Sequence, residues 1–505
     1  MSITIILTII LLYFGVIFTI SYITGKRATN AAYFLGERKS PWYVVAIGMI
    51  GTSISGVTFI SVPGMVGQSA FSYLQMVLGF VSGYIAIAYI LLPLYYRMNL
   101  ASIYGYLGER YGKYSYKTGS VFFLISKFLG CGVRMYLTAL VLQCILFDAL
   151  GVSFAINVAI TMTIVWLYTA RGGVKTLVWV DMLQTLALIG AVILCIYYIG
   201  KEMHLGLGDM WRHIGQSEMS QTWFFDDIDD KRYFWKQFLA GAFTTIAMTG
   251  LDQDMMMKNL SCRNLKEAQK NVLSYGVAFL PVNLLFLALG VLLYAYAGQV
   301  GIFSAETGLL ANGSIKADQL FPTLATGTNP LTGQYYLPIC VGVFFTLGLI
   351  SAAFSSAGSA ITALTTSVTI DLLGKHPSKN EKSTTLTRLT VHLLCCIVMG
   401  VLIYLFSITP TGSVIDAVYV LASYTYGPLL GLYIFGLYTH RRPIDSWIPL
   451  ICTLSPIFCL IISLHSEEWL GGYKMGYELL LLNGAITVFG LWCSSWFNGK
   501  RKTIA

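Results

Sequence analysis

Apolar runs of about 20 residues recur along nearly the whole chain, and short polar connections separate them. A helix needs about 20 mostly apolar residues to cross a bilayer. Bounded by charge, glycine and proline, the runs predict about thirteen transmembrane helices. Their predicted ranges are 3–23, 42–66, 70–96, 118–148, 153–170, 174–199, 235–259, 271–297, 335–372, 386–408, 414–438, 444–464 and 476–497. The pattern therefore predicts an all-α integral membrane protein with one transmembrane domain over residues 1–505.

The connections between these helices differ sharply in their basic residues. Of the 32 Lys and Arg residues, 23 lie in one set of alternate connections and seven in the other, and the richer set includes Lys258. Lys127 and Arg134 fall inside a predicted helix. Because basic residues near helix ends stay cytoplasmic, we predict a multi-pass protein of the cell (inner) membrane. Its N-terminus lies outside, its C-terminus lies in the cytoplasm, and its number of spans is odd.

The composition excludes several classes of protein. Only 11% of the residues are charged, against about 25% in ordinary soluble domains. The net charge of +9 is explained by topology, so no nucleic acid partner is expected. Nine of the ten cysteines lie in apolar runs, which argues against a disulfide framework, and the six histidines show no metal-ligand spacing. The first apolar run has no basic residue before it and no small-residue cleavage site after it, so we expect a retained helix rather than a signal peptide.

Two of the predicted helices carry runs of poor helix formers. Residues 48–61 of the second helix and 244–250 of the seventh are rich in Gly, Ser and Thr. In a bilayer, broken backbone is tolerated only where it lines a cavity or is buried in protein, although a small-residue packing face is the alternative interpretation. These helices begin two five-helix blocks, 42–199 and 235–438, and an odd number of helices per block inverts the second block. The layout predicts an inverted repeat, in which paired broken helices mark a transport site.

The ninth helix places three hydroxyl groups on one face. Ala352, Ser355, Ser356 and Ser359 stand at positions i, i+3, i+4 and i+7. Sodium is a hard cation that prefers oxygen ligands, and serine hydroxyls with carbonyls from an unwound helix would supply them without buried charge. Small-residue packing is again the alternative.

Two ionisable residues inside predicted helices are candidates for function, as intramembrane charges generally are. Asp181 lies in the sixth helix, where it would serve a site or pair with a neighbour near the inner membrane face. Arg134 lies deep in the fourth helix. It would bind a substrate carboxylate through two parallel hydrogen bonds, or it would pair with an internal aspartate.

Several short motifs, taken in order, resemble those of the sodium/solute symporter family, whose members transport sugars, proline, pantothenate, iodide and sialic acid. Each motif is weak alone, but their joint order is specific, and they extend over about residues 30–442. The motifs are YFLGER at 33–38 before Pro41 and Trp42, YLGERYG at 106–112, GGVK at 172–175 with DMLQ at 181–184, DQ at 252–253 with LSC at 260–262, the serine face at 352–359, and YGPLLG at 426–431.

The resemblance implies a LeuT-like fold, with a five-plus-five inverted repeat, one leading helix and two trailing helices, which works by alternating access. It also implies that sodium is the coupling ion. The family's main sodium site falls here on Gly51, Ile54, Ala352, Ser355 and Ser356. A second sodium site, present in some members, falls on Asp181 and Ser359, but one of its hydroxyl positions is Gly358 in this chain.

The substrate positions of the family agree less well with this sequence. A polar position of the sugar transporters falls near Val77, their gating tyrosine falls near Met248, and the carboxylate-binding arginine of the sialic acid transporters falls near Gly130. The candidate substrate-lining residues are Ser53, Thr58, Tyr73, Gln75, Arg134 and Thr245.

Together these features predict sodium-coupled symport of a small polar solute, a sugar, sugar acid or carboxylate, into the cell. The expected partners are the solute, the sodium ion and the lipid bilayer, and the protein is expected to act as a monomer. Proton-coupled symport is the alternative, and a membrane channel is a weaker one. We expect no enzymatic activity, because no cluster of His, Asp or Glu lies inside the predicted helices.

Overall fold

The computed structural model describes residues 3–504 except 27–28, 55, 101, 305–308, 311–316, 330–332, 376–380, 409–413, 470, 472 and 474. Within this part of the chain, ten helices are long and apolar enough to cross a membrane, and one bent helix pair raises the number to eleven. The described regular structure is otherwise limited to shorter helices and one hairpin, β1 (Phe303–Ser304) and β2 (Leu309–Leu310).

The α-helices follow one another in an order that matches the predicted spans. They are α1 (Ile3–Gly25), α2 (Asn30–Leu35), α3 (Trp42–Ser53), α4 (Gly56–Ser69), α5 (Tyr73–Ala86), α6 (Leu92–Arg97), α7 (Gly105–Arg110), α8 (Lys113–Leu142), α9 (Phe154–Thr169), α10 (Gly173–Glu202), α11 (Leu207–Gln216), α12 (Phe234–Thr245), α13 (Gln253–Asn259), α14 (Leu265–Gln299), α15 (Ala317–Thr326), α16 (Ile339–Ser367), α17 (Glu381–Ile408), α18 (Val414–Tyr438), α19 (Ile448–Leu464), α20 (Ser466–Trp469) and α21 (Leu479–Ile504).

Each predicted span coincides with one of these helices or with a helix pair. The two that fall outside the eleven are the 16-residue α9 and the divided pair α12 and α13. The ninth span begins at Ile339, four residues later than predicted, because Pro338 precedes it in extended conformation. The all-α fold predicted from hydropathy is confirmed.

The second span is broken at its Gly-Ser-Thr run. Helix α3 ends at Ser53, and Ile54 has an extended backbone conformation, with φ −82° and ψ 92°. Helix α4 begins at Gly56, and its axis is bent by 59° from that of α3. The last carbonyl groups of α3 therefore lack the N–H donors that a continuing helix would supply.

The seventh span is broken as well. Helix α12 ends at Thr245 and passes into a π-helical turn, Ile246–Gly250. Asp252 then caps α13, since its carboxylate accepts hydrogen bonds from the backbone N–H groups of Asp254 and Met255. The side-chain cap replaces the backbone bonds that the break removes.

Spans 3 and 7 approach each other closely enough for their backbones to touch. A Cβ atom added to Gly79 would lie 2.1 Å from the carbonyl oxygen of Phe238, and one added to Gly241 would lie 2.2 Å from that of Met76. Only glycine fits at these two positions, so helices α5 and α12 pack backbone to backbone and the break after α12 lies next to the third span.

Hydrogen bonds define two ends of the bundle. At the end that we call the basic side, Arg110 donates to the carbonyls of Gly436 and Thr439, and Asp445 accepts from the backbone N–H groups of Tyr114 and Ser115. At the opposite end, the loop side, the long connection between α10 and α12 folds back onto span 3, where Phe71 donates its N–H to the carbonyl of residue 221.

Candidate solute cavity and cation site

A polar cavity lies in the centre of the bundle, between the broken second and seventh spans. Its water-accessible volume is about 120 Å³. Spans 2, 3, 4, 7, 8, 9 and 11 contribute to its wall. The polar and charged residues of the wall are Thr52, Ser53, Thr58, Tyr73, Tyr84, Ser126, Lys127, Arg134, Thr244, Thr245, Thr249, Asp252, Asp254, Ser356, Tyr419 and Tyr426.

Five of the six predicted lining residues are in this wall, namely Ser53, Thr58, Tyr73, Arg134 and Thr245. Gln75 is not, and the structure corrects that prediction. Its side-chain amide donates to the carbonyl of Arg232 at 2.7 Å and accepts from the N–H of Phe224 at 3.2 Å. Gln75 therefore fastens the long connection to span 3, a long-range pairing that no local pattern indicates.

One of the two cations in the fourth span is neutralised inside the cavity wall. The Lys127 ammonium lies 2.7 Å from a carboxylate oxygen of Asp254 and 3.2 Å from one of Asp252. Tyr426 in span 11 donates its hydroxyl to Asp252. These contacts join spans 4, 7 and 11 at the end of the cavity nearer the basic side.

The other cation of the fourth span has no such partner. Arg134 stands seven residues after Lys127, on the same face of α8. Among the described residues, no carboxylate lies within 4.0 Å of its guanidinium group. The structure therefore does not show the pairing with an internal aspartate that the sequence allowed, and it leaves a positive charge facing the cavity.

Two tyrosines meet at the loop-side end of the cavity. The hydroxyl groups of Tyr73 in span 3 and Tyr419 in span 11 lie 3.3 Å apart. Deeper in the bundle, Ser53 at the end of α3 hydrogen-bonds to the hydroxyl of Tyr275 at 2.7 Å, and Tyr84 hydrogen-bonds to the same hydroxyl.

Asp181 of span 6 is the centre of a buried network beside the cavity. Its Oδ1 accepts the hydroxyl of Ser355 at 2.8 Å, and its Oδ2 lies 3.5 Å from the hydroxyl of Ser359. The same Oδ2 lies 3.3 Å from the hydroxyl of Thr52 in α3. Asp181 thereby brings the break of span 2 and the serine face of span 9 together.

The remaining residues of the predicted main sodium site border this network. The backbone N–H of Gly51 donates to the hydroxyl of Thr185 at 3.0 Å, which holds the last turn of α3 against α10. Gly51 and Ile54 lie at the C-terminal end of α3, so their carbonyls are available as ligands. Ala352 is buried, and Ser356 lines the cavity without a hydrogen bond to another described residue.

Lys258 of α13 is the functional candidate that sequence reasoning missed. Its ammonium lies 2.6 Å from Oδ2 of Asp181 and 2.6 Å from the hydroxyl of Thr52. The residue is only 1% exposed, whereas the distribution of basic residues along the sequence grouped it with those of a connection. The error arose because Lys258 stands at the very end of the predicted seventh helix, where a lysine usually reaches water. The sequence offered one signal, the acid Asp181 in the sixth predicted helix, because pairing with a neighbour was one of the two interpretations of that residue.

A bundle of apolar helices with two broken spans around a central polar cavity is typical of a membrane transporter, because broken backbone is tolerated where it lines a cavity or is buried in protein and paired breaks mark transport sites. A profile of the sodium:solute symporter family matches residues 33–443. The chain belongs to this family of sodium-coupled transporters, and it is not an enzyme.

Individual relatives are distant. The sodium/sialic acid symporter SiaT of Proteus mirabilis is 22% identical over 84% of this chain and 82% of its own length. The sodium-dependent multivitamin transporter of Oryctolagus cuniculus is 27% identical over 82% of this chain, and the sodium-coupled monocarboxylate transporter 2 of Mus musculus is 25% identical over 84%. The chain spans 62% and 65% of the lengths of these two mammalian proteins.

Solved structures agree on the fold. A sodium-coupled sialic acid symporter in a substrate-bound, outward-open state superposes with a TM-score of 0.80 at 17% identity, covering 98% of both chains. The nucleobase-cation-symport-1 family transporter Mhp1, in a closed conformation, gives a TM-score of 0.53 at 13% identity, covering 93% of this chain and 95% of that one. The fold is thus that of the LeuT-like transporters, as predicted, while the boundaries 42–199 and 235–438 of the two repeats stay a prediction.

Proposed function

We propose that this protein imports a small polar solute bearing a carboxylate group, together with sodium, by alternating access to the central cavity. The observation that carries the proposal is that the Arg134 guanidinium, in the cavity wall, has no carboxylate within 4.0 Å among the described residues, whereas Lys127, Asp252 and Asp254 contact one another. An arginine binds a carboxylate through two parallel hydrogen bonds. Sugar acids and simple carboxylates fit this chemistry better than neutral sugars do.

The second element of the proposal is the coupling ion. The carbonyls of Gly51 and Ile54, the hydroxyls of Ser355 and Ser356, and the backbone of Ala352 form the main sodium site. Sodium there would tie the broken end of α3 to α16 and so order the wall at Ser53 and Ser356, which raises the affinity for solute. By thermodynamic linkage, solute must raise the affinity for sodium by the same factor.

The proposal includes an orientation and a working unit. The basic side of the bundle faces the cytoplasm, as the distribution of Lys and Arg predicts, which places the N-terminus outside and the C-terminus inside the cell membrane. The monomer is the working unit, because one chain supplies both broken spans and the whole cavity wall.

A thermal-shift screen of the purified protein tests the proposal. Sugars, sugar acids, amino acids and short carboxylates are compared in sodium and in choline buffers. We expect a carboxylate to raise the unfolding midpoint only when sodium is present, since a ligand stabilises the state it binds. Uptake of that solute into proteoliposomes should then depend on an inward sodium gradient. Equal stabilisation in choline, or uptake driven equally by a proton gradient alone, would contradict sodium coupling.

A further inference from the structure

The buried pair of Lys258 and Asp181 occupies the place where a second cation would bind. Asp181 is fully buried and Lys258 is 1% exposed. Three groups converge on Oδ2 of the carboxylate, namely the Lys258 ammonium at 2.6 Å, the Thr52 hydroxyl at 3.3 Å and the Ser359 hydroxyl at 3.5 Å. A carboxylate surrounded by hydroxyl oxygens is a set of ligands that suits a monovalent cation, and here the cation is an ammonium group of the chain itself.

The charge of this carboxylate is therefore already compensated. A buried carboxylate requires a positive partner, and Lys258 supplies one full charge at hydrogen-bonding distance. The ammonium also donates to Thr52, which would otherwise offer its oxygen to an ion. A sodium ion at the same oxygens would stand next to a fixed positive charge in surroundings that screen charge poorly.

The Lys258–Asp181 pair does not occupy the neighbouring main sodium site. Ser355 donates its proton to Oδ1, the carboxylate oxygen that Lys258 does not contact, so the lone pairs of the Ser355 oxygen point away from Asp181. Asp181 thus orients a ligand of the proposed main sodium site. Gly358, which has no hydroxyl, stands beside Ser359 in the same helix.

We propose that Lys258 is a tethered cation that replaces a second sodium ion at Asp181, so that one sodium ion accompanies each solute molecule. This inference rests on the proposed function. Lys258 is attached to α13, whereas Asp181 and Thr52 belong to α10 and α3. The tether keeps this positive charge within the protein during the whole cycle, and only the ion at the main site is exchanged between the two sides.

Counting sodium ions on the purified protein tests the inference. Equilibrium binding of radioactive sodium, in the presence of the stabilising solute, should saturate at one ion per wild-type protein. In Lys258→Gln the carboxylate loses its cation, and saturation should rise to two ions. Lys258→Arg, which keeps the charge, should return the number to one.

The double variant Asp181→Asn with Lys258→Gln guards against a folding defect, because it removes both charges together and leaves no unpaired ion. It should bind one sodium ion, held by the main site. Two ions on the wild-type protein, one ion on folded Lys258→Gln, or none on the folded double variant would each overturn the inference. If Lys258→Gln cannot be purified, the counts for the wild type and the double variant decide.

These outcomes are separate from a failure of the proposed function. Two ions on a wild-type protein that still shows sodium-dependent uptake would reject the tethered cation and keep the symport proposal. No sodium binding at all by the wild-type protein would reject both.

Discussion

Substitution by glutamine should affect the stability of the protein differently at Lys127 and at Arg134, the two cavity-lining cations on one face of α8. Lys127 is held by Asp252 and Asp254, whereas Arg134 has no carboxylate partner among the described residues. In Arg134→Gln no buried carboxylate loses its partner, so the protein should fold with nearly unchanged stability. In Lys127→Gln two buried carboxylates lose theirs, and breaking a buried pair by removing one partner costs about 3–5 kcal/mol.

The expected loss of solute affinity follows from the hydrogen bonds that Arg134 can donate. A hydrogen bond to a charged group contributes about 1.5–3 kcal/mol. At about 1.4 kcal/mol per factor of ten, Arg134→Gln should weaken carboxylate binding by about 10- to 150-fold. Affinity for sodium measured without solute should not change, because the predicted sodium ligands lie in spans 2 and 9.

Calorimetric or thermal-shift titration of the carboxylate found in the screen measures the first effect, and the unfolding midpoint without solute measures the second. The reasoning about Arg134 is refuted if Arg134→Gln binds the carboxylate as tightly as the wild-type protein does. It is also refuted if the two variants lose equal stability, since Arg134 would then have a buried partner.

Three further predictions concern the sodium site, the packing and the long connection. Ser355→Ala and Ser356→Ala should each weaken sodium affinity by at least about 10-fold, measured as the sodium concentration that gives half-maximal uptake. Gly79→Ala should lower the free energy of unfolding by at least about 1–3 kcal/mol, because its Cβ would lie 2.1 Å from a carbonyl oxygen, as the unfolding midpoint would show. Hydrogen bonds from the neighbouring arginine side chain lower the pKa of Asp230. Its stabilising effect should therefore be present above the unfolded pKa of about 3.9 and disappear as the pH falls through the lower folded pKa, which the midpoint difference between the wild type and Asp230→Asn would report.

The first two of these predictions have a control variant within the chain. Thr362→Ala removes a hydroxyl from α16 that, among the described residues, donates to the carbonyl of Gly358 alone, and it should leave sodium dependence unchanged. Gly190→Ala fills open space in α10, so it should be neutral or stabilising by up to about 1 kcal/mol. For the acid-dependent effect, a midpoint difference for Asp230→Asn that grows as the pH falls would contradict the assigned sign.

The features predicted correctly from sequence are those that depend on local composition. Apolar length fixes a span, and glycine with hydroxyl residues weakens a helix wherever it stands, so the breaks after Ser53 and Thr245 could be anticipated. Lys258 and Gln75 could not be placed in this way. Their positions depend on Asp181 and on the carbonyl of Arg232, which are distant in sequence. The lone acid of the sixth helix indicates that Asp181 needs a partner, but local composition does not identify Lys258 as that partner.

Contacts of unequal strength join the helices at the two ends of the cavity, and we expect this difference to determine the side toward which the empty transporter opens. The Tyr73–Tyr419 contact joins two neutral hydroxyl groups, a kind of bond that contributes about 0.5–1.5 kcal/mol. The opposite end carries the ion pairs of Lys127, which cost more to separate. We therefore expect the protein without solute and sodium to open first toward the loop side and to remain open there until they bind. Cys131, a native thiol in the cavity wall, should then react with an impermeant reagent from that side alone, and labelling from the basic side alone would reject this order of events.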